Sequence, residues 1–599
     1  MSEITTPYDA LIRASLPRVL SQLNRDPDAP TYGCFDRNHW HFKIRDFASM
    51  VLQGSALTLG ILARDEHGLV PAERRAALGE WARAACEYWA AQQHGDGTFD
   101  EYYPNERAVI PTSFSTFAVS RIYTAGPGDE PSAGVMAALV KAAWALSRRS
   151  EPFALNQEAA SLPAMLAVAT LSGNERLQRA AEAKVNRFLA LQKKEGWFDE
   201  RGGIDVGYLS TTLDYLCEAH RLLARGDARV ARGEARVARG EARAVHDEER
   251  AARVLEAARR VADVLQYFCH PDGTCGGQYG SRNTEYLIPS GFEYLAALPP
   301  SAALPPSAAL PPSAAGWHTT SAAVCAWFHG RVLANPDSFY AAFDDRYLCH
   351  NMLHAAMRAR EYYLERMRRG RDETSLVPVP SSGAHEKHFR AAGLWVFGDW
   401  RSQAVVALKK GGVVQGVTAA GDFFGDYGYR CRGAKGELLV SSWQSDRWRV
   451  ERVEHGYRVT GPLCRAKFTR VTPLRHIVLR VLAKVLGRRL IPLLQKRLIL
   501  HDAPAAATLT RTITRDGDRL RVEDRIESPQ PLAEVWTAPK YSLRHVASSM
   551  YFREEEYAGA QARTALPIER AGERWLVEHR RVWDLVTGRE LPVDGQGTE

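Results

Sequence analysis

A glycine turn that recurs along the first half constrains this chain more than any other feature. HGDGTFDEYYPNERAVIPTSF, KEGWFDERGGIDVGYLSTTLDYLCE and HPDGTCGGQYGSRNTEYLIPSGF carry it at Gly97, Gly196 and Gly273. Each turn leads through a polar, Gly- or Tyr-rich loop to Ser113, Ser210 or Ser290, where an apolar segment begins. An internal repeat of this kind means one supersecondary unit copied and stacked, because a single copy cannot bury its own apolar face.

Helical periodicity fills the intervals. Apolar residues recur at helical spacing over Ala72–Gln92, Phe114–Tyr123, Ser132–Leu146, Gln157–Leu171, Glu175–Gln192, Thr211–Leu223, Arg250–Phe268 and Asp337–Met367. Helix pairs joined by short loops, with equivalent turns between them, predict hairpins arranged around an axis. The recurring loops then share one end of the ring and line one cleft. Near residue 374 the pattern changes to strands with alternating burial, and Asp516-Gly517 marks a hairpin turn. The expected architecture is an incomplete (α/α) toroid over residues 1–373 followed by an antiparallel β-sandwich over 374–599.

Two repetitive inserts interrupt the helical half. Residues 225–245 (RGDARVARGEARVARGEARAV) have an Ala/Val stripe too weak for a coiled-coil seam and read as a solvated helical extension. Residues 296–315 read as a Pro-rich, semi-rigid surface loop. Neither carries chemistry. The sandwich half contains a third unusual stretch, LRHIVLRVLAKVLGRRLIPLLQKRLIL (474–500), with seven Lys/Arg and no acid. An amphipathic basic helix of this type lies on an anionic membrane surface or packs across a sheet edge with its arginines solvated.

With 599 residues the chain has ample core for two domains, and a net charge of +8 suits an acidic small molecule or polyanion without implying nucleic acid. Nine cysteines at scattered spacing read as reduced thiols. The first twenty or so residues lack an apolar run of signal-peptide length, which sets the expectation of a cytoplasmic protein, peripheral at the inner membrane face if the basic helix docks there.

The residues able to do chemistry gather in the loops. Asn156 stands where a loop meets an apolar helix, the place of an N-cap. Tyr208 follows Gly207 at the head of another helix, and Arg282 lies in GSRNTEY with Glu285 or another carboxylate as a partner. An amide, a phenol and a guanidinium on one rim form a set suited to abstracting a proton next to a carboxylate. Arg37, His39, Trp40 and His41, with Tyr102, Gln157, Glu285 and Tyr286, are the candidate substrate contacts. Cys269, His270 and Cys275 fit no common zinc spacing and read as buried thiols, so no metal or other cofactor is expected.

FALNQEAA, GWFDERGGIDVGYLSTTLDYL, GSRNTEY and TLTRTITRDGDRLRVEDRI together resemble the heparinase II/III-like polysaccharide lyases and similar alginate lyases. The resemblance implies a helical toroid with a β-sandwich and β-elimination on a uronic-acid-containing saccharide. It also implies that Asn156 neutralises the substrate carboxylate and that Tyr208 exchanges a proton with the sugar. The chain departs from that pattern in two places. Gln157 stands where the family often has His, and the sandwich segment that should supply another His offers only Asp426 and Tyr427, leaving His385 and His388 as substitutes. Two further readings stay open: a saccharide-binding protein of surface-polysaccharide assembly, and a glycoside hydrolase using paired carboxylates from Asp96, Glu101, Asp199, Glu200, Asp205 and Glu285.

Overall fold

The computed structural model describes residues 5–125, 130–231, 240–299, 316–335, 346–370, 379–380, 383–466, 470–495, 503–539 and 564–593. An inner ring of helices comprises Ala56–Ala63, Val109–Thr124, Leu155–Ser172, Val206–Ala231, Ser290–Ala297 and Arg346–Arg368. Each packs on the next, and the last turns back against the first. Arg75–Ala91, Ala133–Ser147, Glu175–Leu189, Gly240–Leu265 and Gly316–Trp327 lie outside them, alternating with the inner helices along the chain.

Burial explains the two layers. Leu155–Ser172 is buried at every position from Leu155 to Ala169, as a helix apolar all round must be. Glu175–Leu189 buries Leu177, Ala181, Val185 and Phe188 with the paired Lys184 on one face and keeps Glu175, Arg176, Arg179 and Arg187 in solvent.

The repeated turns join outer to inner helices. Gly97, Gly196 and Gly273 have φ of 88°, 98° and 95°, in the left-handed region open to glycine. A Cβ on Gly97 would lie 2.4 Å from the Lys141 carbonyl oxygen, so the turn also presses on the neighbouring outer helix. Gly33 forms a fourth copy, with φ of 86° and the same close approach to the Ala84 carbonyl.

A glutamine staples three of the four turns. The Nε2 of Gln53, Gln93 and Gln192 donates to the carbonyls of Gly33, Gly97 and Gly196, and again to Ala85, Ala138 and Ala257. The outer-to-inner loops therefore share one end. Inner helices end and outer helices begin at the other, and the two repetitive inserts fall between such helices in the chain. Residues 232–239 and 300–315 within them lie outside the described residues.

The second half forms two antiparallel sheets. The smaller has the order β1 (His385–Phe389), β2 (Leu394–Gly398), β3 (Ser402–Ala407), β4 (Val413–Thr418), β5 (Phe423–Asp426). The larger contains β6 (Tyr429–Gly433), β7 (Leu438–Val440), β8 (Arg449–Val453), β9 (Gly456–Arg465), β10 (Pro504–Asp516), β11 (Arg519–Ser528), β12 (Leu532–Thr537), β13 (Glu569–Ala571), β14 (Arg574–Asp584) and β15 (Glu590–Leu591). Its order is β12-β6-β7-β9-β10-β11-β14-β13, with β8 added to β9 and β15 to β14. Asp516 pairs with Arg519 across the expected Asp-Gly hairpin.

Strands β2–β4 are buried on both faces, so their polar/apolar alternation is lost. Leu394, Val396, Val405 and Val413 join the core of the toroid, while Trp395, Phe397, Val406 and Val414 meet Val459, Ile513 and Val522 of the larger sheet. The smaller sheet is thus a middle layer, and it supports the toroid's loops from behind. Buried Lys410 donates from Nζ to the carbonyls of Gln278 (2.7 Å) and Gly280 (2.9 Å) and to Asn283 Oδ1. Gln415 Oε1 accepts from the Gln278 N–H, and Gln444 Nε2 donates to the Gly202 carbonyl.

The basic stretch folds as a helix over Pro473–Leu486, a short turn, and a second helical piece over Leu490–Leu494. It crosses the loop end of the toroid, packing Ala483 and Leu490 around Tyr103 and pairing Arg480 with Asp46 at 2.8 and 3.0 Å. Residues 496–500 lie outside the described residues. Among the described residues no helix is long and apolar enough to cross a membrane.

Candidate functional site

The inner helices begin earlier than their periodicity suggests, which moves two candidate residues from loops into first helical turns. Leu155–Ser172 is capped by Ala154 without a side-chain bond, so the N-cap reading of Asn156 gives way to a position inside the first turn. Tyr208 likewise sits in the first turn of Val206–Ala231, half-buried.

Backbone pairing brings the loops together. Ala154 forms a β-bridge with Glu200, and the Arg201 N–H donates to the Phe153 carbonyl at 2.9 Å. Glu200 then reaches across to the third loop, where its Oε1 accepts from Arg282 Nη1 at 2.8 Å. Glu200 is therefore a carboxylate partner of Arg282. The Arg282 guanidinium also lies over the Tyr208 ring, 3.8 Å from its centroid.

Asp205 fixes this arrangement. It accepts from the backbone N–H of Tyr208, Arg282 and Thr284 and from the Thr284 hydroxyl. Tyr286 packs edge-on against Tyr208 with centroids 6.1 Å apart. Its ring comes so close to Gly207 that a Cβ there would lie 2.5 Å away, which is why glycine precedes Tyr208.

Burial sets the electrostatics. Glu200 is pushed up to about 7 by desolvation, offset only in part by Arg282 and Arg201. Glu101 is raised well above the ordinary carboxylate range by burial and by the charge of Glu106, against the pull of Arg282 and Arg45. Burial pushes Glu106 to about 7 as well. For Arg282 burial works against the charge, but Tyr208 and Glu200 outweigh it and the guanidinium holds its proton more firmly than usual. Arg201 shifts the other way, lowered by burial and by the nearby Arg282.

Several polar atoms here lack a hydrogen-bond partner among the described residues: Asn156 Oδ1, Gln157 Oε1, Glu101 Oε2, Glu200 Oε2, and Nε and Nη1 of Arg201. Orphaned polar groups are uncommon in protein interiors, and a concentration of them at one place suits a polar ligand. Backbone strain concentrates nearby. Among the described residues six non-glycines have φ between 53° and 61°, and Lys43, Asn105, Arg107, Arg201 and Asn283 of these six lie in the rim loops. Such strain is characteristic of ligand-binding loops.

Arg201 also lines an adjoining cavity of about 580 Å³. Its walls carry Arg107, Arg148, Arg149, Arg201, Arg488 and Arg489 against Glu106 and Glu151, with Tyr102 and Phe153 as aromatic surfaces. Asn156, Tyr208 and Arg282 stand outside this cavity and are joined to it through Arg201. The site therefore has two parts, a cationic trough and a buried Tyr–Arg–Glu cluster beside it.

The remaining candidates are placed as follows. Tyr102 is 56% exposed at the trough, and Gln157 and Glu285 are buried in the rim. Trp40 donates its indole N–H to the Gln22 carbonyl and packs on the helical core. His39 Nδ1 meets the Arg45 carbonyl, Arg37 stacks on Phe42, and exposed His41 lies edge-on to Trp40. From this loop it is Arg45 that touches the site, donating to the Glu101 carbonyl at 2.6 Å. His385 bonds the Gly383 carbonyl beside Tyr267, and His388 is engaged by Tyr457 and Glu386. Asp426 is tied into an arginine network inside the sandwich. Of the rim carboxylates, Asp96 pairs with Arg149 and Asp199 accepts from the Gly202 N–H. His270 bonds Thr274 and Tyr279, and no metal-binding group of His, Cys, Asp or Glu exists among the described residues.

Sequence reasoning missed Arg201. It stood within a quoted loop, but only tertiary pairing and its positive φ distinguish it from a surface arginine.

No protein-family model and no curated protein matches the chain. Among solved structures it is similar to a Paenibacillus xanthan lyase, with TM-score 0.49 and 10% identity over 89% of this chain and 46% of that one. It is also similar to a Streptomyces coelicolor A3 chondroitin AC lyase in complex with chondroitin sulphate, with TM-score 0.49 and 11% identity over 89% and 71%. The chain thus spans about half the length of the xanthan lyase. Its chemistry has to be read from its own side chains.

Proposed function

We propose that this protein binds a uronic-acid-containing poly- or oligosaccharide and cleaves it by β-elimination. The observation that carries this reading is the Arg282 guanidinium stacked 3.8 Å over the half-buried Tyr208 ring. A phenol held under a guanidinium and beside a second cationic region is placed to exchange a proton next to a carboxylate.

The steps balance without a cofactor. The substrate carboxylate is neutralised by Arg282 and the Asn156 amide, which stabilises the enolate-like intermediate as an oxyanion hole would. Tyr208 removes the C5 proton, and the electron pair forms the C4–C5 double bond. The glycosidic C4–O bond breaks, and the Tyr208 proton passes to the leaving oxygen. Arg107, Arg148, Arg201 and Arg489 hold the acidic groups of neighbouring sugars along the trough.

Hydrolysis is the second reading, because Glu200 and Glu101 are buried carboxyls, both raised above the ordinary carboxylate range by desolvation. A hydrolase pair needs one member ionised, and here both are pushed the same way. That favours elimination.

The test is incubation of the purified protein with a panel of uronate oligosaccharides, followed by ultraviolet absorbance of the unsaturated product. New reducing ends without that absorbance would establish hydrolysis instead. Binding without either product, equal in wild type and Tyr208→Phe, would leave a saccharide-binding protein.

A further inference from the structure

The helix that precedes the trough-lining residues Arg488 and Arg489 turns its apolar side outward. Over Pro473–Leu486, Leu479, Ala483 and Leu486 face the toroid, where Ala483 is buried and the two leucines are half-buried around Tyr103. The opposite arc carries Leu474, Ile477, Val478, Val481, Leu482 and Val485, all exposed, Val485 at 76%. At helical spacing these six residues cover an arc of roughly 140°. Arg475 borders the arc on one side and Lys484 on the other, both exposed. Residues 470–495 contain Arg470, Arg475, Arg480, Lys484, Arg488 and Arg489 and no acidic residue.

The patch extends beyond the helix. The Arg480–Asp46 ion pair sets the neighbouring loop against it, and that loop exposes Phe42, Lys43 and Ile44. A contiguous aliphatic surface of this kind, edged by cations, marks an interaction site rather than ordinary surface.

We infer that this face seats the protein on an anionic lipid surface, with the apolar arc in the headgroup–acyl boundary and the flanking cations against lipid phosphates. Charge chooses the occupant. A second copy would bring the same acid-free basic segment against itself, and a nucleic acid would gain nothing from the exposed aliphatic arc. An anionic bilayer offers apolar and negative layers at the depths this helix presents them. Since Arg488, Arg489, Ile491 and Leu494 of the same segment line the trough, docking would hold the saccharide site at the membrane's polar layer.

Flotation of the full chain with phosphatidylcholine vesicles, with and without phosphatidylglycerol, tests this directly. The expected result is capture by the anionic vesicles alone, weakened by salt. The combined variant Ile477→Asp/Val481→Asp/Val485→Asp should reduce capture by about tenfold or more. Arg475→Glu/Lys484→Glu should remove the preference for anionic lipid. All five side chains are exposed, so unchanged thermal unfolding of the variants separates lost docking from lost folding. Capture by neither vesicle, or equal capture by both, would overturn the proposal. So would a concentration-dependent dimer of the wild type that the aspartate variant abolishes. Flotation reads no catalysis, so its failure leaves the elimination reading untouched.

Discussion

Glu200 in the rim and Asp426 in the sandwich are both buried carboxylates beside arginine, and burial pushes both upward. They nevertheless end on opposite sides of the ordinary carboxylate range. Asp426 is held below it because Arg511 and Arg581 both reach it, while Asp524 accepts from the same two arginines. Glu200 makes one ion pair with Arg282, whose charge is shared with Tyr208, and it rises to about 7. A two-by-two network of buried ions leaves little charge for a ligand and holds a sheet together. A cluster with divided partners leaves affinity to spare. Burial is common to both, and the balance of partners separates structure from function.

The largest effect expected from this contrast is on turnover. Tyr208→Phe should lower elimination by about 10²–10⁴-fold, the range for a lost proton-transfer group, with saccharide affinity and thermal stability unchanged. Single-turnover assays beside calorimetric unfolding would show whether the rim separates activity from stability in this way.

Arg511→Met should do the reverse. It leaves Asp426 and Asp524 short of a buried partner and should cost about 3–5 kcal/mol in denaturant unfolding. A smaller loss would mean that the sandwich network is not the structural member of the comparison.

Lys410→Met falls between the two, because Lys410 binds rim carbonyls from the sandwich side. Three acceptors lose one donor, so a cost of about 1–3 kcal/mol is expected, together with weaker saccharide binding. Binding unchanged at that stability loss would show that the rim holds its shape without the sandwich.

The smallest effects are in pH. With its value raised to about 7, Glu200 keeps a proton in the folded state that the unfolded chain has released. Its stabilising contribution is complete below the ordinary value and is lost as pH rises to about 7. The same protonation frees Arg282 for a substrate carboxylate, so affinity for an acidic oligosaccharide should strengthen as pH falls through about 7. Glu200→Gln should flatten that dependence. Asp426 has the opposite sign, and its contribution is lost only as pH falls below its usual range. Titrating affinity and unfolding together would distinguish the two carboxylates.

The fold was legible in the sequence wherever periodicity carried it. The three glycine turns marked the repeat, and the change to alternation near residue 374 marked the sandwich. Gly33 escaped although Gly33-Cys34-Phe35-Asp36 repeats the Gly-x-Phe-Asp of the Gly97 and Gly196 turns, because Tyr32 stands where the other three have an acidic residue. Strands β2–β4 show why alternation fails in a middle layer, where both faces are covered. At the site, Tyr208 and Arg282 stood out because Gly-rich loops flanked them, but their stacking depends on Asp205 gathering N–H groups from two loops. The Arg282–Glu200 pair joins residues 82 apart in the chain, and no local pattern encodes such a pairing. The outward turn of the basic helix was equally hidden, since a leucine-rich stripe does not say which of its sides will find a partner.

The polarity of the toroid has a practical consequence. Every loop that shapes the trough lies at one end, while Ser290–Ala297 ends and Gly316–Trp327 begins at the other. The connection between Ser290–Ala297 and Gly316–Trp327 is therefore a natural port for a spliced tag or fluorophore. A reporter spliced between those two helix ends would have the body of the ring between its points of attachment and the saccharide site.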